Sequence, residues 1–160
     1  MPKELQVRPL RPADRDDWLV LRAQLWDDHS PEDLEAEADG FLQGWGFGKL
    51  PGAPLPAEVL VAVDSSGLIL GFIEVDVRQS ADGCSTPNVG YLEGWYVKPH
   101  ARRAGVGRAL VRGAEDWARS HGCTEMASDT LSGNRTGELA HRSLDYEEVH
   151  HLIHFRRKLV

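Results

Sequence analysis

The stretch Gly90-Tyr91-Leu92-Glu93-Gly94-Trp95-Tyr96-Val97, followed after Lys98-Pro99-His100-Ala101 by Arg102-Arg103-Ala104-Gly105-Val106-Gly107-Arg108-Ala109-Leu110, decides the architecture. The first part is an aromatic-rich strand, and Gly94 inside it marks a bulge. The second is a glycine-containing turn that opens a helix: Val106, Leu110, Ala114, Trp117 and His121 recur at helical spacing until Gly122 supplies the C-cap. Glycines at a helix start let the backbone curl round an anion, and the first-turn amides and positive dipole end bind it. As a dinucleotide fingerprint the element fails, because Leu110 replaces the third glycine and the preceding strands form an antiparallel run. No Gly-Lys-Ser/Thr follows, so it is not a Walker A loop either. The alternative is a purely structural turn.

Outward from this unit the chain alternates. Leu5 to Leu10 reads as a short strand, Pro12 opens a helix with the stripe Trp18, Leu21, Leu25, and Ser30-Pro31-Glu32-Asp33 caps a second helix reaching about Leu42. The glycines and prolines between Gln43 and Pro56 preclude regular structure and leave an ordered loop or a lid carrying Trp45 and Phe47. Residues 58–64 and 68–77 form a hairpin about Ser65-Ser66-Gly67, and 79–88 a polar loop. Beyond the long helix come a buried strand at 124–127, a helix at 133–144 and a closing hairpin at 146–159. The order gives an α/β (α+β) fold with a mixed central sheet of about seven strands and about four helices. At 160 residues it is one domain, 1–160.

The net charge of −7 hides two poles. Residues 13–39 hold ten acids and two bases, a local −8, whereas 98–112 hold five bases and no acid. Such a chain suits a cation at one place and an anion at another, unless both poles are solvated helix faces. Overall acidity disfavours nucleic acid. No apolar run approaches the ~20 residues of a membrane span, and the N-terminus lacks the parts of a signal peptide, so a cytoplasmic protein is expected. Cys84 and Cys123 are too few for a disulfide framework and have no evident base nearby. On a strand His150 and His154 would share a face with His151 opposite, so no metal is expected.

Arg102, Gly105 and Gly107 match the signature Arg/Gln, two residues, Gly, one residue, Gly/Ala, and the chain resembles the GNAT superfamily of N-acetyltransferases. That resemblance implies acetyl-CoA as co-substrate. Its pyrophosphate would lie on Arg102, Arg103, Ala104, Gly105, Val106, Gly107 and Arg108, and its pantetheine arm along Trp95, Tyr96 and Val97, with Asn134 and His141 from the later family pattern. His141 stands where many members have Tyr, and Asp145 where they have Gly. The segments Leu21 to Trp26, Gly90 to Val97, Cys123 to Asp129 and His141-Arg142-Ser143-Leu144 are similar to the aminoglycoside 6′-N-acetyltransferases, which also makes His141 ordinary. Where members often carry an Arg, an acid and a Tyr after the third strand, this chain reads Arg78-Gln79-Ser80-Ala81-Asp82.

Acetylating an amine requires its neutral form. For an alkylamine with a lysine-like pKa that costs about 4.6 kcal/mol at pH 7, so a carboxylate or a water chain must take the proton. By resemblance Glu93 and Asp129 bind the target amine and accept it; otherwise they are a strand's solvent-side residue and a helix cap. Trp26, Asp27 and Asp28 are expected in the wall that holds the polycation. The expectation is direct transfer from acetyl-CoA to the 6′-amine of an aminoglycoside, with no metal. The alternatives are another small polycation such as a polyamine, or a non-catalytic acyl-CoA-binding module. A homodimer is expected because relatives often pair, with the final hairpin as interface.

Overall fold

The computed structural model describes residues 4–47 and 55–159. In chain order it contains β1 (Gln6–Pro9), α1 (Arg15–Leu25), α2 (Pro31–Leu42), β2 (Ala57–Val63), β3 (Ile69–Arg78), β4 (Val89–Val97), α3 (Val106–Ser120), β5 (Met126–Ser128) and α4 (Arg135–Arg142), with 3₁₀ turns at Pro12–Asp14 and Pro99–Ala101. Local chemistry sets several boundaries. Ser30 Oγ accepts the Asp33 amide at 3.1 Å ahead of Pro31, and Asn134 Oδ1 accepts the Gly137 amide at 3.1 Å, so both helices begin on side-chain caps. Asp64 accepts from the Ser66 and Leu68 amides and fastens the β2–β3 turn.

The sheet runs β1-β2-β3-β4-β5, antiparallel throughout except for the parallel pair β4–β5. Helix α3 lies on one face, where Val106, Leu110, Val111 and Ala114 pack on Leu60, Ile73, Val75 and Leu92. On the other face Trp18 and Leu21 of α1 and Ala38 of α2 pack on Val59, Val61 and Phe72. Burial on both faces accounts for the almost unbroken apolar run of β2.

Three expectations are corrected. The sheet has five strands among the described residues, not about seven, because residues 146–159 form no hairpin. Phe155 is 93% and Leu159 91% exposed, and among the described residues this segment pairs with no strand. β5 is three residues long and half-buried, since β4 flanks only one of its edges. Of the loop expected between Gln43 and Pro56, Phe47 stacks on Phe41 (5.3 Å, 10°) and Trp45 lies against Gly40. Residues 48–54, on which the lid expectation falls, lie outside the described residues.

Candidate active site

The site lies where β4 and β5 stop pairing. Their ladder matches Gly90 with Met126, Tyr91 with Ala127 and Leu92 with Ser128, and ends there, while β4 continues along β3 to Val97. Glu93 and Asp129 are the next residue on each strand. They therefore come side by side at the fork, on the face that also carries Tyr91.

A bulge shapes this fork. Glu74 of β3 pairs with Gly94 and Val75 with Leu92, which leaves Glu93 as the extra residue. Gly94 is required here: a Cβ on it would stand 2.5 Å from Trp26 Cη2, because the last turn of α1 packs directly on the bulge.

The two carboxylates are tied into one polar layer. Arg78 donates from Nε and Nη2 to both oxygens of Glu93 at 2.8 Å, and its guanidinium lies 3.4 Å from the centre of the Tyr91 ring. Tyr91 in turn donates its hydroxyl to Asp129 Oδ2 at 2.8 Å. Burial and that carboxylate push the Tyr91 phenol up, so it remains a donor at neutral pH. Asp76, opposite Tyr91, completes the layer beside Glu93.

Beneath it lies a buried ion network that sequence reading did not find. Arg22 of α1, 2% exposed, donates to Glu74 Oε1 at 2.7 Å and to Glu37 Oε2 at 2.6 Å. Its guanidinium sits 5.2 Å from the Trp18 ring and 4.7 Å from the Trp26 ring. Burial pushes Glu74 up to about 7 against the pull of Arg22. Trp26, expected in the substrate wall, is half-buried on this network and on Phe72. Asp27 and Asp28 are exposed, and Asp28 is bonded to His29.

The expected anion loop is open to solvent at the start of α3. Arg102, Arg103, Ala104, Gly105 and Arg108 are exposed, while Val106 is buried as the first core residue of the helix. Gly105 is the N-cap with φ +84° and nothing within 4 Å of a notional Cβ, and the first-turn amides of a helix have no partner within it. Arg102 Nε donates to the Val97 carbonyl at 2.8 Å and lies over Tyr96. The loop is thereby fastened to the end of β4, and Trp95, Tyr96 and Val97 lead from it to the fork.

Behind the fork, on the side of Leu92 and Ser128, stands His141. Its Nδ1 is 2.7 Å from the Gly137 carbonyl, which can only accept, so Nδ1 carries the hydrogen and Nε2 accepts the Ser128 hydroxyl at 2.8 Å. The ring lies edge-on to Trp95 and Tyr146. Asn134 is engaged as the α4 cap. A cleft of about 1370 Å³ runs from Arg78 and Tyr91 past Asp129 and His141 to Tyr146.

Among the described residues no helix is long and apolar enough to cross a membrane, and no three His, Cys, Asp or Glu side chains gather as metal ligands. Ser128 was missed because its partner lies 13 residues away on another element. Arg78 and Asp76 did carry a signal, the alternation Glu74, Asp76, Arg78 along one face of β3.

The chain is 44% identical over 153 residues to the aminoglycoside N(6')-acetyltransferase type 1 of Klebsiella aerogenes, covering 96% of each. It is 34% identical over 154 residues to the enzyme of that name from Stenotrophomonas maltophilia, covering 96% and 93%. Among solved structures it superposes on AAC(6')-Iy in complex with the bisubstrate analogue CoA-S-monomethyl-acetylneamine with a TM-score of 0.83 at 29% identity, covering 98% and 99%. The complex of AAC(6')-Iy with CoA gives 0.85 at 28%, covering 99% and 98%. Residues 14–145 match the Acetyltransferase (GNAT) family as a whole, and the chain belongs to that family.

Proposed function

We propose that this chain is an aminoglycoside 6′-N-acetyltransferase, a single domain that transfers the acetyl group of acetyl-CoA directly to a 6′-amine. The observation that carries the reading is the pair Glu93 and Asp129 at the β4–β5 fork, with β4 leading on from it to an open, basic helix start. A tethered carboxylate pair binds an ammonium and takes its proton, and the fork sets the amine beside the free edge of β4.

The residues fit the co-substrate. Exposed arginines 102, 103 and 108, the first-turn amides and the left-handed Gly105 suit a pyrophosphate. The β4 edge beyond Leu92 offers backbone groups to an extended amide chain. When bound, acetyl-CoA supplies the acetyl group as an activated thioester. The protein's own part is to hold the ammonium on Glu93 and Asp129 and to accept its proton. Arg78 and Tyr91 keep both carboxylates aimed, and the acidic stretch 13–39, with Asp27 and Asp28 exposed, attracts the polycation.

Two further readings belong to this proposal. The outer edge of β5 is open and Leu152, Ile153 and Phe155 are 65–93% exposed, a surface that a second copy of the chain would cover, giving a homodimer. Free Cys84 and Cys123 and the acetyl donor fit the cytoplasm.

Release of CoA thiol with kanamycin, spermidine or no acceptor tests the function. Turnover with kanamycin is expected. Turnover with spermidine alone would make this a polyamine enzyme, and none with any acceptor would leave an acyl-CoA-binding module. Sedimentation of the purified chain tests the dimer, which Phe155→Asp should weaken.

A further inference from the structure

Asp76 is the carboxyl group in the fork that the reading above leaves unused. Its Oδ1 is buried without a hydrogen-bond partner, and its carboxyl lies beside that of Glu93, whose charge acts on it. Two carboxylates held that close repel each other, so the pair readily takes up one proton. Arg78, which could have neutralised both, directs its Nε and Nη2 at Glu93.

The surroundings point the same way. On its own strand Asp76 faces Glu74 and Arg78; on β4 it faces Glu93 and Tyr91; on β2 its neighbour is Ala57. From the helices Arg22 and Glu37 act through Glu74. Arg78 thus faces several carboxylates, and burial, then the charge of Glu93, push Asp76 up to about 7.

Resting on the acetyltransferase reading, we propose that Asp76 and Glu93 act as one base: the proton lost by the substrate ammonium is shared between their carboxyl groups, with Asp76 as its store. The step balances within the site. An N–H bond of the ammonium breaks and its electron pair stays on nitrogen as the nucleophile. The proton forms an O–H bond on the pair, which changes from two carboxylates to one carboxylate and one carboxylic acid. Asp129 and the Tyr91 hydroxyl hold the amine during the exchange. A base of this kind operates near neutrality, where an isolated carboxylate is too weak an acceptor for an ammonium.

The test pairs activity with a titration that needs no substrate. Asp76→Asn keeps the size and a donor toward Glu93 but cannot store the proton. The ratio of wild-type to variant kcat/KM for kanamycin cancels the amine's own titration. It is expected to climb from near 1 at pH 5.5 to at least about tenfold at pH 8.5, with KM for acetyl-CoA unchanged. Carbon-13 NMR of Asp-labelled protein should show one carboxyl titrating near neutral pH that vanishes in the variant. A ratio flat with pH, or no aspartate titrating above pH 5.5, overturns the proposal and leaves the acetyltransferase intact. A wild type that releases no thiol with any aminoglycoside overturns both.

Discussion

Replacing Arg22 by Met examines how the fork is held. Arg22 and Glu74 have side chains only 3% exposed, and Arg22 lies between two tryptophan rings, so Met fills the space while removing the charge. Breaking a buried pair by deleting one partner costs about 3–5 kcal/mol, because the other charge is left uncompensated. The pH dependence separates the parts of that loss. Burial holds Glu74 up to about 7 in the native protein, above its unfolded value, so the native state keeps the extra proton and stability falls as pH rises from about 4.5 to about 7, then levels. Without Arg22 the native pKa moves higher still. Below pH 7 both proteins carry a protonated Glu74, and the difference between them reflects packing, the ring contacts and the bond to Glu37. Above pH 7 the wild type levels off while the variant loses about 1.4 kcal/mol per pH unit, so the gap widens by about 2.7 kcal/mol between pH 7 and pH 9. Urea denaturation at pH 6 and pH 9 measures it, and Arg22→Met combined with Glu74→Gln should remove the pH-dependent part. An equal loss at both pH values would refute the claim that the buried Glu74 charge is what Arg22 compensates.

Further outcomes follow from the same layer. Asp76 also has a native pKa raised above the unfolded value, so it lowers stability progressively from about pH 4 to pH 7. Asp76→Asn should match wild type at pH 4 and exceed it at pH 8 by about 1–3 kcal/mol in thermal denaturation, the upper limit of about 4 being discounted for partial exposure. Gly94→Ala, with its Cβ driven 2.5 Å from Trp26, should lose about 1–3 kcal/mol of stability and most activity, read by melting temperature and thiol release. Tyr91→Phe deletes the 2.8 Å bond to Asp129 without changing shape and should raise KM for the amine severalfold at constant KM for acetyl-CoA. Asp129→Ala should lower turnover at least about 100-fold.

Much of the architecture was legible because it is written locally. Ser30-Pro31, the Gly67 turn and the helical stripe from Val106 to His121 each mark an element without reference to the rest of the chain, and Gly94 announced its bulge. The fork was legible in part: Glu93 and Asp129 lie in recognisable segments, but what surrounds them comes from register. Glu74, Asp76 and Arg78 alternate as a strand's solvent face normally does, and only the packing of α1 against β3 turns that face into a buried polar layer. Arg22 is 52 residues from Glu74, and no local pattern distinguishes an arginine that will be buried from one on a helix surface. Residues 146–159 misled for the opposite reason. Leu152, Ile153 and Phe155 have strand composition, yet composition alone does not make a strand, and all three side chains stand exposed.

The central claim is transfer to an amine held at the carboxylate fork. It is tested most directly with two aminoglycosides that differ only in carrying an amine or a hydroxyl at the 6′ position, by following CoA thiol release and locating the acetyl group by NMR. The geometry predicts release with the 6′-amine compound alone, with the acetyl group on that nitrogen. Equal rates for the two compounds, or acetylation at another position, would contradict it.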